Sequence, residues 1–70
     1  MTTTELKEIA RAGGGMSLDA TSYTTTDLKE VGRAASTSGA TIVLRNAKVK
    51  TATELKEIAR TSPGKFIFEL

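Results

Sequence analysis

The side chains that most often carry acid–base or metal chemistry are missing from this 70-residue sequence. It contains no histidine and no cysteine, which removes the usual general base near neutral pH and the soft ligands that bind zinc. Its acidic residues fall mostly at helix caps or on helix faces, so we expect no buried pair of carboxylates for hydrolysis. Serine and threonine are plentiful, but none has a partner that would activate its hydroxyl. We therefore predict that the chain is not an enzyme and has no catalytic residue, metal ligand or cofactor.

Basic residues offer a second kind of chemistry, the binding of phosphate groups. The net charge is +2, which is too small to indicate nucleic acid by itself, because such binding needs several simultaneous phosphate contacts. The nearest approach to a cluster is Arg45, Lys48 and Lys50, with Lys65 further along. We favour solvated loop residues as the interpretation. Binding of a phosphate ligand or a nucleic acid through these four residues is the alternative function.

One segment occurs three times, and it reads TTTELKEIAR at 2–11, TTTDLKEVGR at 24–33 and TATELKEIAR at 51–60. In each copy the first threonine stands three residues before an acid, the spacing of a capping box that begins a helix. Apolar residues then recur at helical spacing and form one stripe. The shared K-E-x-x-R residues fall on the opposite side, and we interpret them as a solvated helix face rather than a binding motif.

Each copy is followed by residues that end a helix and then by a short β-prone run. The glycines at 13–15 come after a helix, so they end it, whereas a phosphate-binding loop needs glycines before a helix. The β-prone runs are MSLDA at 16–20, TIVLRNA at 41–47 and KFIFEL at 65–70. The chain is thus predicted to be a single domain of three helix–strand repeats, at about 1–20, 21–47 and 48–70.

This order of elements predicts an α/β fold. A strand joined to the next through a helix forms a right-handed parallel crossover, so three units side by side give a three-stranded parallel sheet in the order 1-2-3 with three helices on one face. The order 2-1-3 is the alternative. The small residue at equivalent positions of the helices is expected where neighbouring helices meet; it is Ala10, Gly32 or Ala59. The strand residues predicted to face the helices are Met16, Leu18, Ala20, Ile42, Leu44, Phe66, Phe68 and Leu70.

The second unit carries the short strand IVL at 42–44 and Asn46 soon after it, and a loop then leads to a helix with LKEIA. In this order the chain resembles helix-containing leucine-rich repeats of the ribonuclease-inhibitor-like type. The resemblance extends over most of the chain, although the family's asparagine falls one position later than Asn46 and the leucine frame is sparse. It implies a solenoid that binds other proteins through its sheet face.

The strand residues that point away from the helices form the candidate interaction surface, which we term the outer sheet face. In register, Asp19, Arg45 and Glu69 make a row of acid, base and acid. Val43 and Ile67 make an apolar row beside it. A parallel sheet is seldom left with one face bare, and a hydrophobic edge strand such as FIFEL invites pairing.

These features predict a protein-interaction or self-assembling module that acts through its open sheet face or its edge strand. The expected partner is a second copy, giving a homodimer or higher oligomer, or another protein, and a small inhibitor of a larger protein would be a special case. The sequence has no apolar run of membrane-spanning length and no signal-peptide pattern. We therefore expect a cytoplasmic protein that does not associate with membranes.

Overall fold

Three helices alternate with three strands along the chain, and the computed structural model describes all of residues 1–70. The helices are α1 (Thr3–Arg11), α2 (Thr25–Ser38) and α3 (Ala52–Thr61). The strands are β1 (Met16–Asp19), β2 (Ile42–Arg45) and β3 (Phe66–Phe68). One turn of 3-10 helix at Ala47–Val49 follows β2 and was not predicted from the sequence.

Each helix begins at a capping box, as the spacing of threonine and acid predicts. At the start of α1 the hydroxyl of Thr2 accepts a hydrogen bond from the Glu5 N–H at 3.2 Å, and the Thr2 N–H donates to the Glu5 carboxylate at 2.9 Å. In α2 the shorter Asp27 side chain accepts from the Thr24 N–H at 3.3 Å. The helix therefore keeps its cap, with a longer return bond where aspartate replaces glutamate.

The sheet is parallel throughout and has the order β1-β2-β3. The predicted order 1-2-3 is therefore confirmed, and the alternative 2-1-3 is wrong. The register places Leu18 beside Leu44 and Leu44 beside Phe68. Because successive strand residues point to opposite faces, these three side chains lie on the same face of the sheet.

All three strands are shorter than the predicted runs. After β2, Asn46 adopts a left-handed conformation with φ of 57°, which extended backbone cannot accommodate. After β1, the Asp19 side chain accepts from the Thr21 N–H at 2.9 Å and folds the chain into a turn. Aspartate side chains compete with ladder bonding in this way, and asparagine tolerates the left-handed conformation better than most residues.

The core lies between the sheet and the helices, which cover one face. It joins buried helix side chains to buried strand side chains, and the largest fully buried ones among them are Leu28, Val31, Ile42, Leu44 and Ile58. The predicted core face is correct for the central strand and for Leu18 and Ala20. At the two outer strands Met16, Phe66 and Phe68 are only half-buried. Leu70 is 79% exposed, which corrects its assignment to the core face, because it lies beyond the last residue bonded to β2.

At Gly32 a small residue allows α2 to approach α3, as predicted. Ala10 is fully buried on α1. At Gly32 of α2 a Cβ atom would lie 1.9 Å from the Thr61 hydroxyl oxygen and 2.8 Å from Cε2 of Phe66. The space beside Gly32 is therefore already occupied by the end of α3 and the start of β3. Ala59 is half-buried.

Candidate interaction surface

The outer sheet face is the side of the sheet that the helices leave uncovered. Ser17, Val43 and Ile67 lie side by side across the three strands. Val43 is half-buried by its neighbours, whereas Ile67 on the outermost strand is 52% exposed. The apolar part of this face is therefore small and concentrated at its β3 side.

The acidic and basic row behaves differently from the predicted ladder of charges. Asp19 and Arg45 are register partners, but the Arg45 guanidinium donates from Nε to the Ser17 hydroxyl at 2.9 Å. The Asp19 carboxylate accepts from the Thr21 N–H at 2.9 Å, the Thr21 hydroxyl at 2.7 Å and the Asn46 amide at 3.2 Å. The Thr21 backbone bond is the main reason that the pKa of Asp19 is lowered, and the charge of Arg45 contributes least. Asp19 therefore stabilises the turn after β1.

The third member of the row, Glu69, lies one residue beyond β3. Its N–H donates to the Leu44 carbonyl at 2.9 Å, and its carbonyl accepts from the Ala47 N–H at 3.0 Å. The Glu69 side chain is exposed. Its backbone thus prolongs the pairing with β2, while its carboxylate is left available to solvent or to a partner.

The backbone of β3 is bonded to β2 along one side only. The Lys65 carbonyl accepts from the Ile42 N–H at 2.8 Å, and the Glu69 N–H donates to the Leu44 carbonyl. In a strand, alternate residues direct their N–H and C=O groups to opposite sides. It follows that Lys65, Ile67 and Glu69 direct theirs toward β2.

The intervening residues, Phe66 and Phe68, direct their backbone N–H and C=O groups away from the sheet. Both phenyl rings are half-buried, with their centroids 5.9 Å apart. We term residues 65–69 the open edge. It combines unpaired backbone donors and acceptors with a run of apolar side chains, the composition that favours pairing with another strand.

The opposite edge of the sheet, formed by β1, is less open to pairing. The Met16 N–H donates to the Thr41 carbonyl and the Ala20 N–H donates to the Arg45 carbonyl, so the even-numbered residues of β1 direct their backbone groups toward β2. The residues whose backbone groups face outward are therefore Ser17 and Asp19. The Asp19 carbonyl already accepts from the Ser22 N–H at 3.0 Å. Polar side chains, a carboxylate and a turn are devices that discourage edge-to-edge pairing.

The four basic residues of the alternative function do not all lie at one end of the sheet. Arg45 and Lys65 lie near opposite ends of the sheet, because the register places Lys65 beside Thr41, four residues before Arg45. That offset corresponds to about 13 Å along a strand. The Lys50 ammonium donates to the Tyr23 carbonyl at 3.0 Å, and Lys48 is exposed in the 3-10 turn.

A groove between α1 and α2 gathers charged residues that were predicted to lie on solvated helix faces. It is lined by Lys7, Arg11, Glu30, Arg33, Ala34 and Thr37. The first four come from the K-E-x-x-R residues of two copies of the repeated segment, which adjacent helices bring side by side. Their charges sum to a net positive groove. The spacing of the repeats could have suggested this, but only with the helix order known.

Neither metal ligands nor similarity to known proteins identifies a further role for this surface. No group of three or more acidic residues is placed to hold a metal ion, and none of the helices has the length and apolar character to cross a membrane. Comparison with protein-family models, curated proteins and solved structures found no match. The resemblance to leucine-rich repeats therefore stays a prediction.

Proposed function

We propose that this chain is a non-enzymatic protein-interaction module that binds through its open edge and the adjoining outer sheet face. One observation carries the proposal. The outward backbone groups of Phe66 and Phe68 lie unpaired on an apolar strand whose central residue, Ile67, is 52% exposed. Strand addition to such an edge is a general mode of recognition, in which backbone hydrogen bonds give affinity and side chains give specificity.

The open edge supports this role better than the outer sheet face does by itself. Three strands extend about 10 Å across and four residues about 13 Å along, so the face is much smaller than the roughly 800 Å² that each partner buries in a standard interface. Its apolar side chains are Val43 and Ile67, beside the charged Arg45. Backbone pairing at the edge adds directional bonds that this small face lacks.

Replacement of Phe68 tests the edge with a matched control. Phe68→Pro removes a backbone donor that faces outward, and proline is tolerated at such positions of edge strands. Phe68→Ala loses the same ring but keeps the N–H. The tagged chain and both variants are used to capture proteins from the source cell, after circular dichroism has established that each variant is folded.

We expect partner proteins that bind the wild type and Phe68→Ala but not Phe68→Pro. A third variant, Arg45→Glu with Ile67→Asp, measures the contribution of the outer sheet face. Equal capture by wild type and Phe68→Pro would refute the edge as the binding surface. If only the Arg45→Glu, Ile67→Asp variant lost capture, the binding surface would be the outer sheet face instead of the open edge.

A further inference from the structure

The open edge has a sequence that complements itself when it is reversed. Residues 65–69 read Lys-Phe-Ile-Phe-Glu, with a cation at one end, an anion at the other and apolar residues placed symmetrically between them. We propose that the open edge pairs with the open edge of a second copy of this chain, antiparallel and with Ile67 opposite Ile67 of the second copy. This inference rests on the proposed function, because it names the partner of the same edge.

The backbone of β3 restricts which registers are possible. In an antiparallel pair, residues directly opposite one another alternate between pairs that exchange both hydrogen bonds and pairs that exchange none. With Ile67 at the centre, Phe66 lies opposite Phe68 of the second copy, and both have outward N–H and C=O groups. A shift of one residue would set an outward residue opposite Ile67, whose groups are directed toward β2, and would lose these bonds.

Charge selects among the remaining registers. With Ile67 at the centre, Lys65 lies opposite Glu69 of the second copy, and the two-fold symmetry repeats this pair at the other end. Both side chains are exposed and share the outer sheet face with Ile67. Opposite charges directly across two strands stabilise the pair, and like charges destabilise it. A shift by two residues would place Lys65 or Glu69 opposite an isoleucine.

The apolar side chains fit the same arrangement. Phe66 and Phe68 are half-buried at the margin of the core, so pairing them across the two-fold axis would extend the core from one copy to the next. Ile67, which is 52% exposed, would meet its own counterpart. The strand is short, so the interface falls below about 1,200 Å² and belongs to the weak, reversible class.

Charge exchange at the two ends of the open edge tests the pairing and its register. Lys65→Glu makes both ends acidic, and Glu69→Lys makes both ends basic, so each variant opposes like charges in its own homodimer. A mixture of the two restores opposite charges in a heterodimer. The double variant, Lys65→Glu with Glu69→Lys, restores them in a homodimer. Both positions are exposed, and circular dichroism of each variant checks that the fold is retained.

Sedimentation equilibrium at low salt, from about 10 μM to about 1 mM, covers the range expected for a weak interface. We expect the wild type to dimerise and each single variant to dimerise at least about tenfold more weakly, because two attractive pairs become repulsive. The equimolar mixture and the double variant should return to wild-type association.

A wild type that stays monomeric at the highest concentration would overturn the self-pairing. The proposed register would be overturned if the single variants dimerised as strongly as the wild type. It would also be overturned if the equimolar mixture of the two did not regain wild-type association. These failures differ from failure of the proposed function. Capture of another protein that Phe68→Pro abolishes would leave the open edge as a binding surface even if the wild type were monomeric.

Discussion

Gly32→Ala is expected to destabilise the protein, although helix propensity alone predicts the opposite. Gly32 lies inside α2, where alanine is favoured over glycine by about 1 kcal/mol. The structure opposes this gain, because the added Cβ would lie 1.9 Å from the Thr61 hydroxyl and 2.8 Å from the Phe66 ring. Thr61 cannot turn away without cost, since its hydroxyl donates to the Ile58 carbonyl at 2.6 Å.

Three contributions, two unfavourable and one favourable, determine how much Gly32→Ala changes the free energy of unfolding. Overpacking of a filled site costs about 1–3 kcal/mol, and loss of the Thr61 hydrogen bond costs about 1 kcal/mol. After subtraction of the propensity gain of about 1 kcal/mol, the free energy of unfolding should fall by about 1–3 kcal/mol. For a domain of this size each kcal/mol lowers the melting temperature by about 4–8 °C.

Urea and thermal unfolding followed by circular dichroism measure this change. Ser36→Ala on the exposed face of the same helix is the control, and it should be neutral or slightly stabilising. The cost of Gly32→Ala should be smaller in a Thr61→Ala background, because the closest atom is then absent, and a double-mutant cycle reports that coupling. A Gly32→Ala protein as stable as the wild type would refute the close approach of α2 to Thr61.

Acid should weaken the fold through helix-cap and turn carboxylates whose pKa the structure lowers. The pKa of each carboxylate is lowered mainly by a backbone hydrogen bond: Thr2 donates to Glu5, Thr21 to Asp19 and Thr51 to Glu54. The stability that these bonds contribute is present above the ordinary pKa, which is 4.5 for glutamate and 3.8 for aspartate, and is lost as the pH falls further. Urea unfolding that is unchanged from pH 7 down to about pH 2 would contradict this. Ser62→Ala should leave the free energy of unfolding unchanged or raise it by about 1 kcal/mol, because the buried Ser62 hydroxyl has no hydrogen-bond partner. A marked loss of stability in the same urea assay would mean that this hydroxyl does make a hydrogen bond in the folded protein.

Local signals in the sequence were sufficient for the helices and for the order of the strands. The capping boxes depend on residues three apart, and the sheet order follows from helices that connect consecutive parallel strands. Gly32 could be assigned to a close contact, because its cost in a helix needs a reason. The identity of the contacting atom on Thr61 could not, since it depends on how far α3 extends.

The predicted interaction surface was harder to read from the sequence. Alternation placed Val43 and Ile67 on the outer sheet face, and the structure leaves that face uncovered. Alternation along the strands could not indicate that Arg45 bonds to Ser17 or that Asp19 belongs to a turn, because both depend on side-chain geometry at the strand ends. The direction of the β3 backbone groups also requires the register with β2, which only the assembled sheet defines.

The unlike edges of the sheet determine how far assembly through β3 could proceed. Two copies joined at their open edges would form one six-stranded sheet, in which both outer strands are β1. Each β1 has its Asp19 carbonyl occupied by the turn at Ser22 and presents polar side chains. Such a sheet would present edges less suited to pairing than the two joined in its middle, so growth would favour a closed dimer over a fibre.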